Sequence, residues 1–153
     1  MNTFDEIYQY NSIENFEYKV IKVDISTELQ ISISDATNPN AQRKFVFDYI
    51  LQNLRGKYNT TDGREVVISS KTAKKYTNKA DELKLRVAPY LDEMLMNAKL
   101  INIVYAEHAS FEKFAYYETF FENNGKSYVG LLNVGITIEN ESILYDLRPI
   151  KEK

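Results

Sequence analysis

The only histidine of this sequence is the first residue to consider for acid–base chemistry. His108 lies in the segment EHAS, so that Glu107 and Ser110 place a carboxylate and a hydroxyl close to it in the chain. An imidazole titrates near neutral pH and can give or take a proton. Proximity in sequence does not make a Ser/His/Glu triad, because a triad is defined by geometry. His108 is therefore a candidate catalytic base, and a loop histidine without a function is the alternative.

Composition excludes several other kinds of site. The chain has no cysteine, which rules out disulfides, zinc–thiolate sites and thiol nucleophiles. No spaced acidic run resembles a calcium loop or a two-metal cluster, and no glycine-rich loop is suited to cradle a phosphate. The sequence therefore predicts neither a metal nor a cofactor.

A cluster of cations around an aromatic residue is a second candidate site. The segment KTAKKYTNK (71–79) places Lys71, Lys74, Lys75 and Lys79 around Tyr76. Lysines can contact phosphates while an aromatic ring stacks on a base. The cluster predicts either a nucleic-acid contact or a solvated helix face that binds nothing.

Aromatic residues near the C-terminus form a third candidate site. The stretch FAYYETFFENNGKSYVGLL (114–132) carries aromatic residues at both odd and even positions. Side chains along a strand alternate between the two faces of a sheet, so both faces would be aromatic. One face must cover the helices, and the other predicts a partner surface. The residues predicted to bind are Tyr116, Tyr117, Phe120 and Tyr128.

Alternating and turn-forming residues predict the strands that would position these groups. Partial alternation over 16–24 and clean alternation over 28–35 predict an N-terminal β-hairpin. Asn124-Gly125 predicts a two-residue turn between two long strands, because both turn positions need a positive φ. In that register Phe121 faces Tyr128.

Helical periodicity predicts two helical segments. The first begins at Asn40 and ends before Gly56. The second follows Ser69 or Ser70 and carries an apolar stripe from Leu83 to Ala98. Proline removes a helical hydrogen bond, so a kink or break is expected near 85–89.

The order of these elements predicts an α+β fold with two helical segments packed on an antiparallel sheet. Residues 1–42 would form an N-terminal arm and β-hairpin packed on the rest, and residues 43–153 the α+β domain. A chain of 153 residues with 44% apolar residues suits one ordinary packed unit.

Charge and hydropathy limit the compartment and the partners. Nineteen basic and 22 acidic side chains leave a net charge of −3, which does not indicate a strongly basic nucleic-acid binder but leaves room for a local basic patch. The start MNTFDEIYQY is not a secretion signal, and no apolar segment approaches ~20 residues. We expect a cytoplasmic protein with no membrane contact.

Five segments carry a family resemblance: RGKYNTTDGREVVIS, SKTAKKY, MLMNAKL, YYETFFENNGKSYVGLLNV and ILYDL. From about Arg43 onward, their order resembles the barnase/EndoU/colicin/RelE-like nuclease domains associated with large polyvalent proteins of phages and conjugative elements. The resemblance implies an α+β fold and a mobile-element origin. It also implies metal-independent RNA cleavage by acid–base residues on the sheet, which act on the 2′-hydroxyl and the phosphate.

The chain departs from that pattern at two positions. The resemblance places a histidine where this chain has Ala115, and a basic residue where it has Leu131. Alanine cannot transfer a proton, and leucine cannot stabilise a phosphate transition state. His108 lies seven residues upstream and would need a loop to fold it back. Lys113 and Glu118 are the other candidate catalytic residues.

These departures favour a non-catalytic binding protein on a nuclease-like fold. It would act as an inhibitor of a host defence system, of the anti-CRISPR type, and bind a host protein or ribonucleoprotein. The alternative is a metal-independent RNase or toxin that binds RNA, with His108 or a lysine as the base and Tyr116, Tyr117 or Tyr145 to position the substrate. A homo-oligomerisation module is a third hypothesis.

Overall fold

The computed structural model of the protein describes residues 16–24 and 38–153. The helices are α1 (Pro39–Tyr49), which continues as a π-helical turn (Ile50–Leu54), α2 (Ser70–Thr77), α3 (Glu82–Val87), which continues as a 3₁₀ turn (Ala88–Tyr90), and α4 (Leu91–Asn97). The strands are β1 (Val20–Val23), β2 (Gly56–Asn59), β3 (Glu65–Ile68), β4 (Lys99–Tyr105), β5 (Lys113–Asn123), β6 (Lys126–Ile136) and β7 (Ser142–Glu152).

The long β5–β6 hairpin is the centre of the sheet, and its predicted register is confirmed. Asn124 and Gly125 have φ values of 52° and 76°, as a tight hairpin turn requires. Phe121 faces Tyr128 across the two strands. The local turn chemistry therefore fixes which residues share a face of the hairpin.

The predicted antiparallel sheet is wrong in part, because the sheet is mixed. Among the described residues, seven strands follow the order β1-β5-β6-β7-β3-β2, and β4 also pairs with β5. β1 and β4 occupy successive stretches of one edge of β5, β4 antiparallel and β1 parallel. β3 meets β7 in parallel where Val67 lies opposite Ile143. Such pairings join distant segments, so no local turn signals their direction.

The helices form three segments rather than the predicted two. α1 begins where the Asn38 side chain accepts the N–H of Ala41 at 2.9 Å, with Pro39 at the first helical position. The longer predicted segment divides into α2 and the α3–α4 segment, which begins where Asp81 accepts the N–H of Lys84 at 2.9 Å. The predicted break is confirmed, because α3 gives way to the 3₁₀ turn that contains Pro89.

Residues on the two faces of β5 belong to two hydrophobic cores. Ala115, Tyr117 and Phe121 face the helices and join the larger core. On the opposite face, a smaller core contains Ile101, Phe111, Phe114, Tyr116 and Leu131. The second strand of the predicted N-terminal hairpin, 28–35, lies outside the described residues, and the division at 42/43 stays a prediction.

Candidate nucleic-acid interface

The segment 106–112 between β4 and β5 folds back onto the smaller core. The N–H of Ala106 donates to the carbonyl of Glu112 at 2.9 Å and closes the loop at its base. Phe111 is only 2% exposed and anchors the loop against the sheet. A Cβ atom at Gly135 would lie 2.5 Å from the Phe111 ring, so glycine leaves the space that this ring fills. The loop thereby returns His108 to the sheet.

His108 is held over the smaller core by aromatic contacts and hydrogen bonds. Its ring centroid lies 5.1 Å from that of Phe111 and 5.3 Å from that of Tyr145. Its Nδ1 atom accepts the N–H of Ser110 at 3.0 Å, and its Nε2 atom lies 3.2 Å from the Tyr145 hydroxyl. An Nδ1 atom that accepts a hydrogen bond assigns the proton of the neutral ring to Nε2, which then donates to Tyr145. The hydroxyl hydrogen of Tyr145 remains available to a ligand.

Beside this pair lies a basic groove of about 730 Å³, bounded by α1, α2, the residues just after α2 and the 106–112 loop. Its cationic lining residues are Arg43, Lys71, Lys74, Lys75 and Lys79, and none of its lining residues is acidic. His108, Ser110 and Tyr145 form its wall on the loop side. Although the whole chain is acidic, this surface is electropositive.

The position of α2 sets the direction of the groove lysines. Ser69 is its N-cap residue and donates its N–H to the Thr72 hydroxyl at 3.0 Å. The Thr72 hydroxyl donates to the carbonyl of Leu144, which ties the helix to β7. Lys71 and Lys75 are four residues apart and share a helix face. Their Nζ atoms lie 5.2 Å from the Phe111 ring centroid and 5.4 Å from that of Tyr145 respectively.

A second pocket, the aromatic pocket, adjoins the groove. It has a volume of about 480 Å³ and shares Lys75, His108 and Tyr145 with the groove. Its remaining lining residues are Val104, Tyr105, Ala106, Glu107, Phe114 and Tyr116. The His108–Tyr145 contact therefore lies between a cationic cavity and an aromatic one.

The structure brings three of the predicted binding residues together and buries another. Lys71, Lys74 and Lys75 all line the basic groove. Tyr76 belongs to the larger core with no exposed surface, and its hydroxyl donates to the carbonyl of Lys84 at 2.5 Å. Because α2 turns this ring inward, Tyr76 cannot stack on a ligand in the groove.

The hairpin aromatics are mostly core rather than partner surface. Tyr116 and Tyr117 are buried on opposite faces of β5. Burial raises the pKa of Tyr117 to about 12, and its hydroxyl donates to Asp62 at 2.9 Å. Phe120 is half-buried with Tyr18 at a centroid distance of 4.5 Å, and the half-buried Tyr128 stacks on the Phe121 ring. The expected exposed aromatic face is absent from this part of the described chain, because the 106–112 loop covers the smaller core.

The three candidate catalytic residues lie in different surroundings. The Nζ atom of Lys113 lies 5.4 Å from the ring centroid of Tyr105. Glu118 is buried and accepts a hydrogen bond from the Tyr18 hydroxyl. Burial raises the pKa of Glu118 to about 7, against a smaller opposing effect of Lys153. Of the three, only His108 lines the groove.

Sequence reasoning singled out neither Arg43 of the groove nor Tyr105 of the aromatic pocket as a binding residue. The Nε atom of Arg43 donates to the carbonyl of Ala80 at 3.0 Å, which fixes Arg43 beside Lys79. Tyr105 is 81% exposed at the end of β4. The apolar run LINIVY ends on Tyr105 and was a usable signal for a strand that ends on an aromatic residue. The approach of α1 to the segment after α2, which brings Arg43 to the groove, has no local sequence signature.

The family model for large polyvalent protein-associated domain 3 matches residues 37–145. The chain belongs to this family. The matched span contains α1, α2, the 106–112 loop and Tyr145, so it includes the whole lining of the groove. No curated protein and no solved structure matches the chain.

Across 16–24 and 38–153, no group of three or more His, Cys, Asp or Glu side chains is arranged to hold a metal ion. Within the same ranges, no helix has both the length and the apolar character needed to cross a membrane.

Proposed function

We propose that the protein binds RNA by holding the phosphate backbone in the basic groove. The observation that carries this proposal is the convergence of Arg43, Lys71, Lys74, Lys75 and Lys79 on one cavity without an acidic lining residue. In a chain with 22 acidic side chains, such segregation of charge creates a local field that attracts polyanions.

Hydrogen-bond donors add to this electrostatic attraction. In the neutral tautomer, the Nε2–H of His108 donates to the Tyr145 hydroxyl, so the hydroxyl hydrogen of Tyr145 is the donor that this pair presents at the groove wall, beside the lysine ammonium groups. Phosphate oxygens are acceptors only, so this wall is complementary to a phosphodiester. The exposed ring of Tyr105 offers a stacking surface for an unpaired base. Single-stranded RNA combines both features, and the resemblance to RNA-cleaving domains supports RNA over DNA.

The test is fluorescence anisotropy with a labelled ten-nucleotide RNA at several salt concentrations. We expect log Kd to rise with log salt at a slope of about 3.5, because each of the five groove cations neutralises one phosphate and roughly 0.7 counterions are released per neutralised phosphate of a single strand. The double variant Lys71→Ala/Lys74→Ala should bind at least about tenfold more weakly and lower the slope by about 1.4, since it removes two contacts. An RNA affinity that does not depend on salt would reject the proposal.

The matched control is Lys126→Ala. Lys126 is exposed at the start of β6, its weak partner is Glu152 at 4.0 Å, and it lines neither cavity. The variant loses one positive charge without touching the groove. Equal losses of affinity in Lys126→Ala and Lys74→Ala would show that binding follows net charge alone.

Cleavage of the bound RNA is the second candidate function, and the folded-back position of His108 favours it. In the sequence, His108 lies upstream of the predicted hairpin strands. In the structure, the 106–112 loop brings its ring to the groove beside Tyr145 and Lys75. In metal-independent cleavage the 2′-oxygen attacks phosphorus and the bond to the 5′-oxygen breaks. One group removes the 2′-hydroxyl proton and another protonates the leaving oxygen, which yields a 2′,3′-cyclic phosphate.

The hydrogen bonds of His108 support binding more directly than cleavage. A general base needs a free lone pair, and the Nδ1 lone pair already accepts the Ser110 N–H while Nε2 carries the proton. The ring must release the Ser110 N–H before it can remove a proton. RNA incubated with the protein should therefore remain intact in gel assays across pH 5 to 9. Cyclic phosphate ends that disappear in His108→Gln would instead establish the nuclease.

The hypothesis of a host-directed inhibitor stays a proposal, and its binding surface is now the basic groove rather than the hairpin. The hypothesis rested on an exposed aromatic face of the hairpin. The basic groove now takes its place as the binding surface, and it would fit the RNA of a host ribonucleoprotein. A phage or mobile-element origin, a nuclease-like ancestry and an anti-CRISPR role belong to this proposal. Co-purification of host RNA with the wild-type protein, and its loss in Lys71→Ala/Lys74→Ala, is the expected result.

A further inference from the structure

We propose that residues 16–19 form a strap over β5, which is closed when the carboxyl group of Glu118 is protonated and opens when that group is ionised. The strap directly precedes β1 and lies outside its pairing with β5. This inference goes beyond the proposed function, because neither the strap nor Glu118 lines the basic groove or the aromatic pocket.

One tyrosine side chain holds the strap on the sheet. The Tyr18 hydroxyl donates to a carboxyl oxygen of Glu118. The Tyr18 ring lies edge-on to Phe120 at a centroid distance of 4.5 Å, and the Nζ atom of Lys99 lies 5.6 Å from its centroid. Tyr18 is half-buried by these contacts, whereas Glu17 beside it is exposed. The ring of Tyr18 thus covers the carboxyl group of Glu118.

The strand β1 is the fixed end of the strap. It pairs with β5 over four residues, and Ile21 is 1% exposed in the larger core. The strap itself has one ion pair to the rest of the chain, between the exposed Lys19 and Glu93 at 2.9 Å. Exposed ion pairs contribute little to stability. The contacts of Tyr18 therefore decide whether the strap is closed, while β1 stays in place.

The surroundings of Glu118 contain more positive than negative groups. Even-numbered residues of β5 share its face of the sheet, and their register partners on the neighbouring strands share it too. The charged and titratable groups that this face brings near Glu118 are Tyr18 of the strap, Lys22 of β1, Lys99 of β4, Glu122 of β5, Lys151 of β7 and Lys153 after β7. The cations favour the ionised form of Glu118, so only burial under Tyr18 and the sheet opposes it.

Burial is the larger of these two effects. Glu118 is 6% exposed, and burial raises its pKa to about 7 against the smaller opposing effect of Lys153. A protonated carboxyl group is neutral and still accepts the hydrogen bond from Tyr18. An ionised one gains hydration when the strap opens, which restores its ordinary pKa. The closed strap is therefore favoured at low pH, and this preference is lost as the pH rises to about 7.

The open strap uncovers part of the hairpin that the sequence predicts as a partner surface. Phe120 is half-buried beneath Tyr18, and the Nζ atom of Lys153 lies 4.4 Å from its ring centroid. Departure of Tyr18 exposes an aromatic ring, a carboxylate and a cation together. The strap thereby controls access to Phe120.

The test is electron paramagnetic resonance of a nitroxide label on the strap. The chain has no native cysteine, so Glu17→Cys carries a single label at an exposed position. The ratio of mobile to immobile label should rise by about tenfold or more between pH 5 and pH 8, because each unit of pKa difference between the two states corresponds to a factor of ten. In Glu17→Cys/Glu118→Gln the label should stay immobile at both pH values. Glu139→Gln, at an exposed position, is the matched control and should keep the transition.

A reciprocal measurement follows Glu118 itself. Carbon-13 NMR of labelled glutamate side chains gives the titration of Glu118, which is assigned by its loss in Glu118→Gln. Tyr18→Ala should move the pKa of Glu118 back toward its ordinary value, because the cover is removed. A label mobility that does not change with pH would overturn the proposal, as would a transition that persists in Glu118→Gln. An unchanged Glu118 titration in Tyr18→Ala would show that the sheet alone buries this group, and would overturn it too.

Discussion

The Nε2 atom of His108 lies 3.2 Å from the hydroxyl oxygen of Tyr145, although 37 residues separate them in the chain. The contact joins the 106–112 loop to β7 and stands between the basic groove and the aromatic pocket. It exists because Phe111 inserts under the loop and carries His108 to the sheet. A residue that appears isolated in the sequence is thereby part of the wall of the basic groove.

Tyr145→Phe should weaken RNA binding by about fivefold while leaving the fold intact. The change removes one hydroxyl, and a hydrogen bond contributes about 1 kcal/mol, which corresponds to a factor of about five in Kd. Anisotropy titration measures the loss and urea unfolding measures the stability. Tyr128→Phe is the control, because Tyr128 packs on Phe121 and lines neither cavity. Similar losses in both variants would contradict a role for the Tyr145 hydroxyl.

Gly135→Ala should destabilise the protein and disturb the 106–112 loop. The new Cβ atom would lie 2.5 Å from the ring of Phe111, which is enclosed and cannot move without displacing the loop. We expect a loss of about 2 kcal/mol in the free energy of unfolding, typical of an overpacked core. Gly130→Ala should cost less, because its closest neighbour at 3.0 Å is the terminal methyl of Leu147. Urea titration compares the two, and an equal cost would argue against a rigid Phe111.

Glu118→Gln should change how stability depends on pH. Burial raises the pKa of Glu118 in the folded state to about 7 from its ordinary 4.5, so between these pH values the folded state binds more protons than the unfolded state. Wild-type stability therefore falls as pH rises from 4.5 to 7 and the loss is complete above pH 7. Glutamine does not titrate, so the variant should exceed the wild type by about 2 kcal/mol at pH 8.

Urea unfolding at pH 5, 6, 7 and 8 measures this effect. Glu139→Gln, at an exposed position, is the matched control and should follow the wild-type curve. The amide retains a hydrogen-bond acceptor for the Tyr18 hydroxyl, so the comparison isolates the charge of Glu118. A difference between variant and wild type that is the same at pH 5 and pH 8 would contradict the raised pKa.

Lys84→Met should be strongly destabilising. Lys84 Nζ lies 2.5 Å from an Asp146 carboxylate oxygen, and the Asp146 side chain is 3% exposed. Removal of one partner from a buried ion pair leaves an uncompensated charge and typically costs about 3 to 5 kcal/mol. The double variant Lys84→Met/Asp146→Leu should recover part of the loss, although the Asp146 contact to the N–H of Leu147 is also removed. Thermal unfolding that gives the double variant no advantage over Lys84→Met would refute this account.

Much of the fold follows from local sequence signals. Asn124-Gly125 sets the hairpin turn, and the alternation along β5 and β6 then fixes the facing pairs. Pro89 interrupts the apolar stripe of the second predicted helical segment, because proline in a helix interior removes a hydrogen bond and clashes with the preceding turn. The parallel pairing of β1 with β5 and of β3 with β7 depends instead on how distant segments pack together.

The candidate site also combines features that the sequence predicts with features that only the tertiary structure fixes. The sequence by itself determined the lysines of α2, because their spacing places Lys71 and Lys75 on one face of any helix that forms there. Only the tertiary structure decided which aromatic residues are buried and where His108 lies. The burial depends on how the helices and the 106–112 loop pack on the two faces of the sheet, and the position of His108 depends on that loop closing over the smaller core. These contacts join segments that are far apart in the chain, so no local periodicity predicts them.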